Sequence, residues 1–188
     1  MKIIVRAWPL ELVNGEPLDA ARTQAHVDAL RDQVAPELFR GFDAAHFPAS
    51  TLDALALAAH AYRTDTTIGE RVSFMLRDAL FEEGRDISDP AVLRAIAQVA
   101  QLELPDQLDR EAVLADWHDG RERGVLGSPH FFCGGADVFC PSLTITHALH
   151  GLSITRDTSR LETFFDQCFA RSEGGPVIGL DVDTAARP

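Results

Sequence analysis

The sequence predicts a mixed α/β fold, a sheet with segregated helices that an all-helical block interrupts. Three observations predict it. The chain opens on a β-branched and aromatic run, Ile3 to Trp8, which reads as a strand ended by Pro9. Between Ser50 and Arg123 several segments with helical apolar periodicity follow one another closely. Beyond Arg123 the composition changes, and short apolar strand-like runs alternate with glycine turns before a final amphipathic segment.

Taken in order, Asn14-Gly15 after the first strand is a turn signal. A helix is expected from about Asp19 to Val34, with Ala25, Leu30 and Val34 on its apolar side, ended by Pro36 and Gly41. The loop from Gly41 to Pro48 is expected to bury Phe42 and Phe47. Ser50 or Thr51 can cap a helix reaching Tyr62. Thr66 or Thr67 can cap the next, with Glu70 at capping-box spacing from Thr67. That helix turns Val72, Leu76, Ala79 and Leu80 inward and stops at Gly84, a suitable residue just past a helix end. Ser88-Asp89-Pro90 is a cap followed by a first-turn proline, opening a helix with Val92, Leu93, Ile96 and Val99 on one side. Pro105-Asp106 is expected to start the last helix of the block, which carries Leu108, Val113, Leu114 and Trp117.

After the block, Phe131 to Cys133 reads as a strand, Gly134-Gly135 as a turn and Val138 to Cys140 as a second short strand. A further strand is expected at Leu152 to Thr155. Leu161 to Phe169 reads as a closing helix with Leu161, Phe164, Phe165 and Phe169 toward the core. The tail from Arg171 is rich in small and polar residues and is expected to be partly loose.

The 188 residues fit one domain, or one domain with a sizeable insertion, and 46% apolar content suffices for a core. A net charge of −12 argues against non-specific binding of nucleic acid or of an anionic membrane, which both favour basic surfaces. No apolar run approaches the roughly 20 residues that span a bilayer. The opening run is too short for a signal peptide and Arg6 interrupts it, so a cytoplasmic location is the default expectation. Three cysteines, an odd number, do not suggest a disulfide-stapled scaffold.

The segment Gly124 to Phe132 carries the most chemistry. Proline is tolerated at the first residue of a strand, and Pro129 stands there, after two glycines. The Ser128–Pro129 bond is a candidate for the cis form, because proline cuts the cis penalty to about 0.5–1 kcal/mol. A cis proline at a strand entrance leaves the preceding amide and carbonyl open to an extended peptide or a thiol. An ordinary loop-to-strand turn is the plainer reading of the same residues.

Taken together, three segments give a resemblance. Arg6-Ala7-Trp8-Pro9-Leu10-Glu11-Leu12, Phe81 to Leu93, and Gly124 to Phe132 follow the order and spacing of the DsbA-like branch of the thioredoxin superfamily. They resemble its second core strand, the junction inside its helical insertion, and its cis-proline loop with the third strand. The resemblance implies a thioredoxin-like sheet with an all-helical insertion. The core would comprise residues 1–18 and 124–170, the insertion residues 19–123 and the tail residues 171–188. It implies a thiol–disulfide oxidoreductase acting on a protein or small-molecule thiol or disulfide, with Ser128 and Pro129 as substrate-binding residues. No metal and no cofactor are implied beyond a low-molecular-weight thiol. The chain departs from the family at one point: it holds no Cys-x-x-Cys. In the family the first of those cysteines is a thiolate stabilised by a helix N-terminus. The family's first strand and redox helix have no counterpart, which leaves three readings: a start at an internal methionine, a redox centre lost in favour of binding, or a strand supplied by a partner or a second copy in a homodimer. The alternatives in function are a glutathione-dependent isomerase or transferase of the kappa-like branch, which uses a serine in that helix, and a non-catalytic module that captures an extended peptide by strand addition.

The remaining reactive residues have plainer readings. Cys133 and Cys140 could meet across the Gly134-Gly135 turn, but buried free thiols are the commoner state, and Cys168 reads as core. His130, Cys133, Cys140 and His147 are metal-capable in type, yet their spacing does not match tight zinc-ligand pairs, and strand alternation sends His130 and Cys133 to opposite faces. His26, His46, His60, His118 and His150 are scattered. Trp8 and Trp117 read as core or as a ligand cleft. Asp116, Asp119, Glu122, Glu82, Glu83 and Asp86 read as a solvated acidic face.

Overall fold

The computed structural model describes residues 3–148 and 151–170, with backbone alone at 147 and 148. The tail expected to be loose lies outside these residues. Among them are seven α-helices and two antiparallel sheets of two strands each. The helices are α1 (Leu10–Asn14), α2 (Ala20–Gln33), α3 (Leu52–Thr64), α4 (Thr66–Phe81), α5 (Pro90–Ala100), α6 (Arg110–Glu122) and α7 (Ser159–Ala170). One sheet pairs β1 (His130–Cys133) with β2 (Ala136–Phe139), and the other pairs β3 (Leu143–Ala148) with β4 (Gly151–Arg156). The chain divides into two compact units, Met1–Val125 with Ile145–Thr155, and Leu126–Thr144 with Arg156–Pro188.

The first unit is built on α3, α4 and α5. Leu57 and Ala61 from α3, Val72, Leu76, Ala79 and Leu80 from α4, and Leu93, Ile96 and Ala97 from α5 form one buried cluster. These residues recur at three and four positions apart, so one stripe of each helix faces the others. A smaller cluster of Ala7, Ala56 and Val113 lies beside Leu52, Leu55 and Leu108. Arg71 of α4 donates to the Ala100 carbonyl at the end of α5, satisfying a group that the helix itself leaves open.

The caps come from carboxylates more often than the sequence suggested. Asp65 replaces Thr66 and Thr67 as cap of α4, accepting from the Thr67 and Ile68 amides at 2.7 and 3.2 Å. At α3 the Ser50 hydroxyl accepts from Leu52 N–H, whereas Thr51 makes no cap bond. Instead, Glu11 accepts from the Thr51 amide at 2.6 Å and from the Ser50 hydroxyl at 3.0 Å. α6 starts four residues later than Pro105-Asp106 implies, on Asp109, which accepts from Glu111 N–H. Asp89 caps α5 with Pro90 at its first turn, as expected.

Several burial expectations change. In α2 the buried residue is Val27, while Ala25 is exposed. Val99 is 67% exposed and Phe169 is 51% exposed, so neither joins a core among the described residues. Phe42 and Phe47 are half-buried and pack together with ring centroids 5.6 Å apart.

Ile3 to Trp8 joins no ladder among the described residues, against the strand expected there. A strand needs a partner for its amides, and here a helix provides one: Asp116 of α6 accepts from Ala7 N–H at 2.9 Å and from the Arg6 guanidinium at 3.0 Å. Trp8 then lies over Gly120, where any β-carbon would stand 2.7 Å from the indole ring. Asp116 is therefore an anchor whose side chain is 13% exposed, not part of a solvated face. Glu82 is a second correction of the same kind, since it accepts from the Phe39 and Arg40 amides at 2.7 and 3.2 Å. The strand at Leu143 to Ala148 was not anticipated. Its partner β4 is held on its outer edge by Gln33 of α2. That carboxamide donates to Leu152 C=O at 2.9 Å and accepts from Ile154 N–H at 2.8 Å. No helix among the described residues is long and apolar enough to cross a membrane.

Candidate functional site at the Ser128–Pro129 loop

The second unit centres on the β1–β2 hairpin. Gly134 and Gly135, both at positive φ, make its turn, and this fixes the register. His130 faces Phe139, Phe131 faces Val138, Phe132 faces Asp137, and Cys133 faces Ala136. The ladder continues one step past β2, where Cys140 N–H donates to Pro129 C=O at 2.9 Å.

Strand alternation sorts these residues onto two faces. Phe131, Cys133, Ala136 and Val138 share one face, and Phe131 meets Phe164 of α7 with centroids 6.2 Å apart. His130, Phe132, Asp137 and Phe139 share the other. There the His130 ring lies 4.4 Å from the Phe132 ring and 5.9 Å from the Phe139 ring, centroid to centroid. Phe139 also fills the space beside Gly127, where a β-carbon would come within 2.8 Å of its ring.

The Ser128–Pro129 peptide is cis, and both residues are exposed. Ser128 makes no hydrogen bond to any other described residue, through either its backbone or its hydroxyl. Two residues close to it, Pro129 after it and Leu126 two positions before it, are tied down. Pro129 is held through Cys140, and Leu126 N–H donates to Nδ1 of His130 at 3.2 Å. A backbone amide only donates, so Nδ1 is the bare nitrogen and Nε2 carries the proton. That proton is donated to Asp137 Oδ1 at 3.0 Å. The His130 side chain is 4% exposed and Asp137 is 60% exposed. A carboxylate thus fixes the tautomer of a buried imidazole, whose other nitrogen pins the loop.

The register separates the two cysteines suggested as a pair. Cys133 stands beside the turn and Cys140 beyond the far end of β2. Four residue steps part Ala136, which faces Cys133, from Cys140, about 13 Å along a strand. A disulfide needs a Cα separation below about 7 Å. Both thiols are free, and Cys168 is half-buried.

On the face of Phe131 and Val138, an open cleft of about 310 Å³ lies between β2 and α7, lined by Asp137, Val138, Ser159, Arg160 and Thr163. Arg160 donates to the Phe139 carbonyl at 3.2 Å. At the start of α7 the Ser159 hydroxyl and amide hold the Asp157 carboxyl below its ordinary range.

The remaining candidates occupy separate places. His60 bonds the Glu103 carbonyl at 2.8 Å, His46 pairs with Asp43 at 3.0 Å, and the His118 ring lies tilted beside Trp117 with centroids 4.8 Å apart. His26 is exposed; His150 and the side chain of His147 lie outside the described residues. In the first unit the indole N–H groups of Trp8 and Trp117 are buried without an acceptor among the described residues, and Arg121 sits 5.1 Å over the Trp117 ring. Burial pushes the Tyr62 phenol up, with the Val5 backbone acting in the opposite direction. Asp53 is held below its ordinary range by the Arg110 guanidinium, which bonds it at 2.6 and 2.7 Å.

The sequence singled out Ser128 and Pro129 but not Asp137 and Leu126, the partners of His130. The signal was available, because a two-residue turn at Gly134-Gly135 sets every pair of the hairpin by counting. No family model, no curated protein and no solved structure matches this chain.

Proposed function

We propose that this chain is a DsbA-like protein of thioredoxin type that binds an extended thiol- or disulfide-bearing peptide, or a small thiol, at the Ser128–Pro129 loop. One observation carries the reading: Ser128 is exposed and its backbone has no hydrogen-bond partner among the described residues, while Leu126 and Pro129 on either side of the Gly127-Ser128 step are both pinned. An amide and a carbonyl held ready in this way suit strand-like pairing with a peptide main chain. The order of cis-proline loop, hairpin and closing helix also supports the family resemblance. Thiol–disulfide exchange is the chemistry that the resemblance implies. Cys133 and Cys140 are too far apart to act as a dithiol, so the geometry supports binding ahead of catalysis by these residues.

Two measurements test the reading. The first is an amide NMR titration of the whole chain with a reduced cysteine-containing peptide and, separately, with glutathione. Shifts centred on Leu126 to Gly127, Ser128 and Cys140 are expected. Shifts confined to other residues, or none at millimolar ligand, would reject the site. The second is insulin reduction. This polypeptide alone is expected to give no turnover, and turnover that depends on Cys133 or Cys140 would overturn the assignment of binding ahead of catalysis.

A further inference from the structure

We infer that His130 is a positioning residue that latches the Ser128–Pro129 loop in a proton-dependent way. The inference rests on the loop being the binding element, but the latch itself can be read without ligand. Neutral His130 accepts from Leu126 N–H through Nδ1 and donates to Asp137 through Nε2. Both ring nitrogens are used, and the side chain is almost wholly buried. Protonation must add a hydrogen at Nδ1. Two donors then face each other across the 3.2 Å that separates Nδ1 from the Leu126 nitrogen, and the bond is lost.

The surroundings favour this exchange over alternatives. Asp137 of β2 is the charged group against the imidazole, and it strengthens its hold on the ring when the ring becomes cationic. The imidazolium is thus kept in place by Asp137 while the loop is released. Phe132 and Phe139 flank the ring and offer no competing acceptor. Leu126 to Pro129 brings no titratable side chain. From α7, Arg160 reaches the hairpin at the Phe139 carbonyl. Histidine is the side chain whose charge ordinarily changes between about pH 5 and 8. The consequence is a loop that is ordered while His130 is neutral and loosened once it is protonated.

The test is amide hydrogen exchange and chemical shift at Leu126, followed with the His130 ring signals from about pH 8 to pH 5 in the unliganded full chain. Leu126 protection, corrected for the intrinsic pH dependence of exchange, is expected to fall about fivefold in step with His130 titration. His130→Gln cannot titrate and is expected to lose this step. Asp137→Asn keeps the histidine but removes the counter-charge, so the step is expected to move to lower pH. This variant also serves if H130Q does not fold. Leu126 protection that ignores His130 titration in the wild type, or a step unmoved in D137N, would overturn the latch. Failure of peptide binding at every pH, with the Leu126 step intact, would count against the loop as a binding element and leave the latch standing.

Discussion

Removing the Asp116 carboxylate should destabilise the first unit mainly through one backbone amide, not through the visible ion pair. Asp116 makes two contacts of nearly equal length, 2.9 Å to Ala7 N–H and 3.0 Å to the Arg6 guanidinium. Their environments differ. The Arg6 side chain is 61% exposed, so its pair with Asp116 contributes about 0–1 kcal/mol. Ala7 is 7% exposed, and its amide loses a charge-assisted bond with no water in easy reach. Bonds of that kind contribute about 1.5–3 kcal/mol, and an amide left unpaired in a buried position adds to the loss. Asp116→Ala is therefore expected to cost about 2–3 kcal/mol, a fall in Tm of roughly 4–12 °C for a chain of this length. Arg6→Ala should cost at most about 0.5–1 kcal/mol. Urea unfolding followed by tryptophan fluorescence suits the comparison. The chain has two tryptophans, and Trp8 and Trp117 each adjoin one partner of the perturbed bond. The reasoning is refuted if R6A reproduces the loss of D116A, or if D116A changes the midpoint by less than the equivalent of about 0.5 kcal/mol.

Two further outcomes follow from neighbouring contacts. Gly120→Ala places a β-carbon 2.7 Å from the Trp8 ring, so the ring must move; a loss of about 1–3 kcal/mol and a shifted tryptophan emission are expected, and an unchanged emission spectrum would show that the contact is not tight. Tyr62 is the single tyrosine, so ultraviolet difference absorbance reads its phenol alone. Burial raises its folded pKa, so stability is fully present below the unfolded value and is lost as pH rises through the folded one. The native phenol should thus ionise later than the same phenol in urea, and Tyr62→Phe should flatten the alkaline fall in the unfolding midpoint.

The helical block was legible in the sequence because its periodicity is complete. Val72, Leu76, Ala79 and Leu80 fall on one side of α4 by spacing alone, and packing put them there. The caps were less legible. Thr64-Asp65-Thr66-Thr67 is a run of four cap-forming residue types, and only the backbone geometry of the fold selects Asp65. Glu11 and Asp116 could not be found by local spacing, because their partners are 39 to 40 and 109 to 110 positions away. β3 was overlooked although Leu143-Thr144-Ile145-Thr146 alternates as a strand should; the Pro141-Ser142 pair before it reads as loop. At the candidate site, proline made the loop visible. The contact of His130 with Asp137 follows by counting outward from the Gly134-Gly135 turn, once the second strand is extended to begin at Ala136, two residues before the stretch that its apolar character suggests.

The grip of Gln33 on β4 has a consequence for how the protein behaves in a crowd. An outer strand normally offers a row of open amides and carbonyls to which any passing extended chain can add itself. Between Leu152 and Ile154 that invitation is already taken: one side-chain carboxamide, presented by a helix, stands in for a residue of a neighbouring strand. The imitation costs a single glutamine and ends the sheet where a real strand would have extended it.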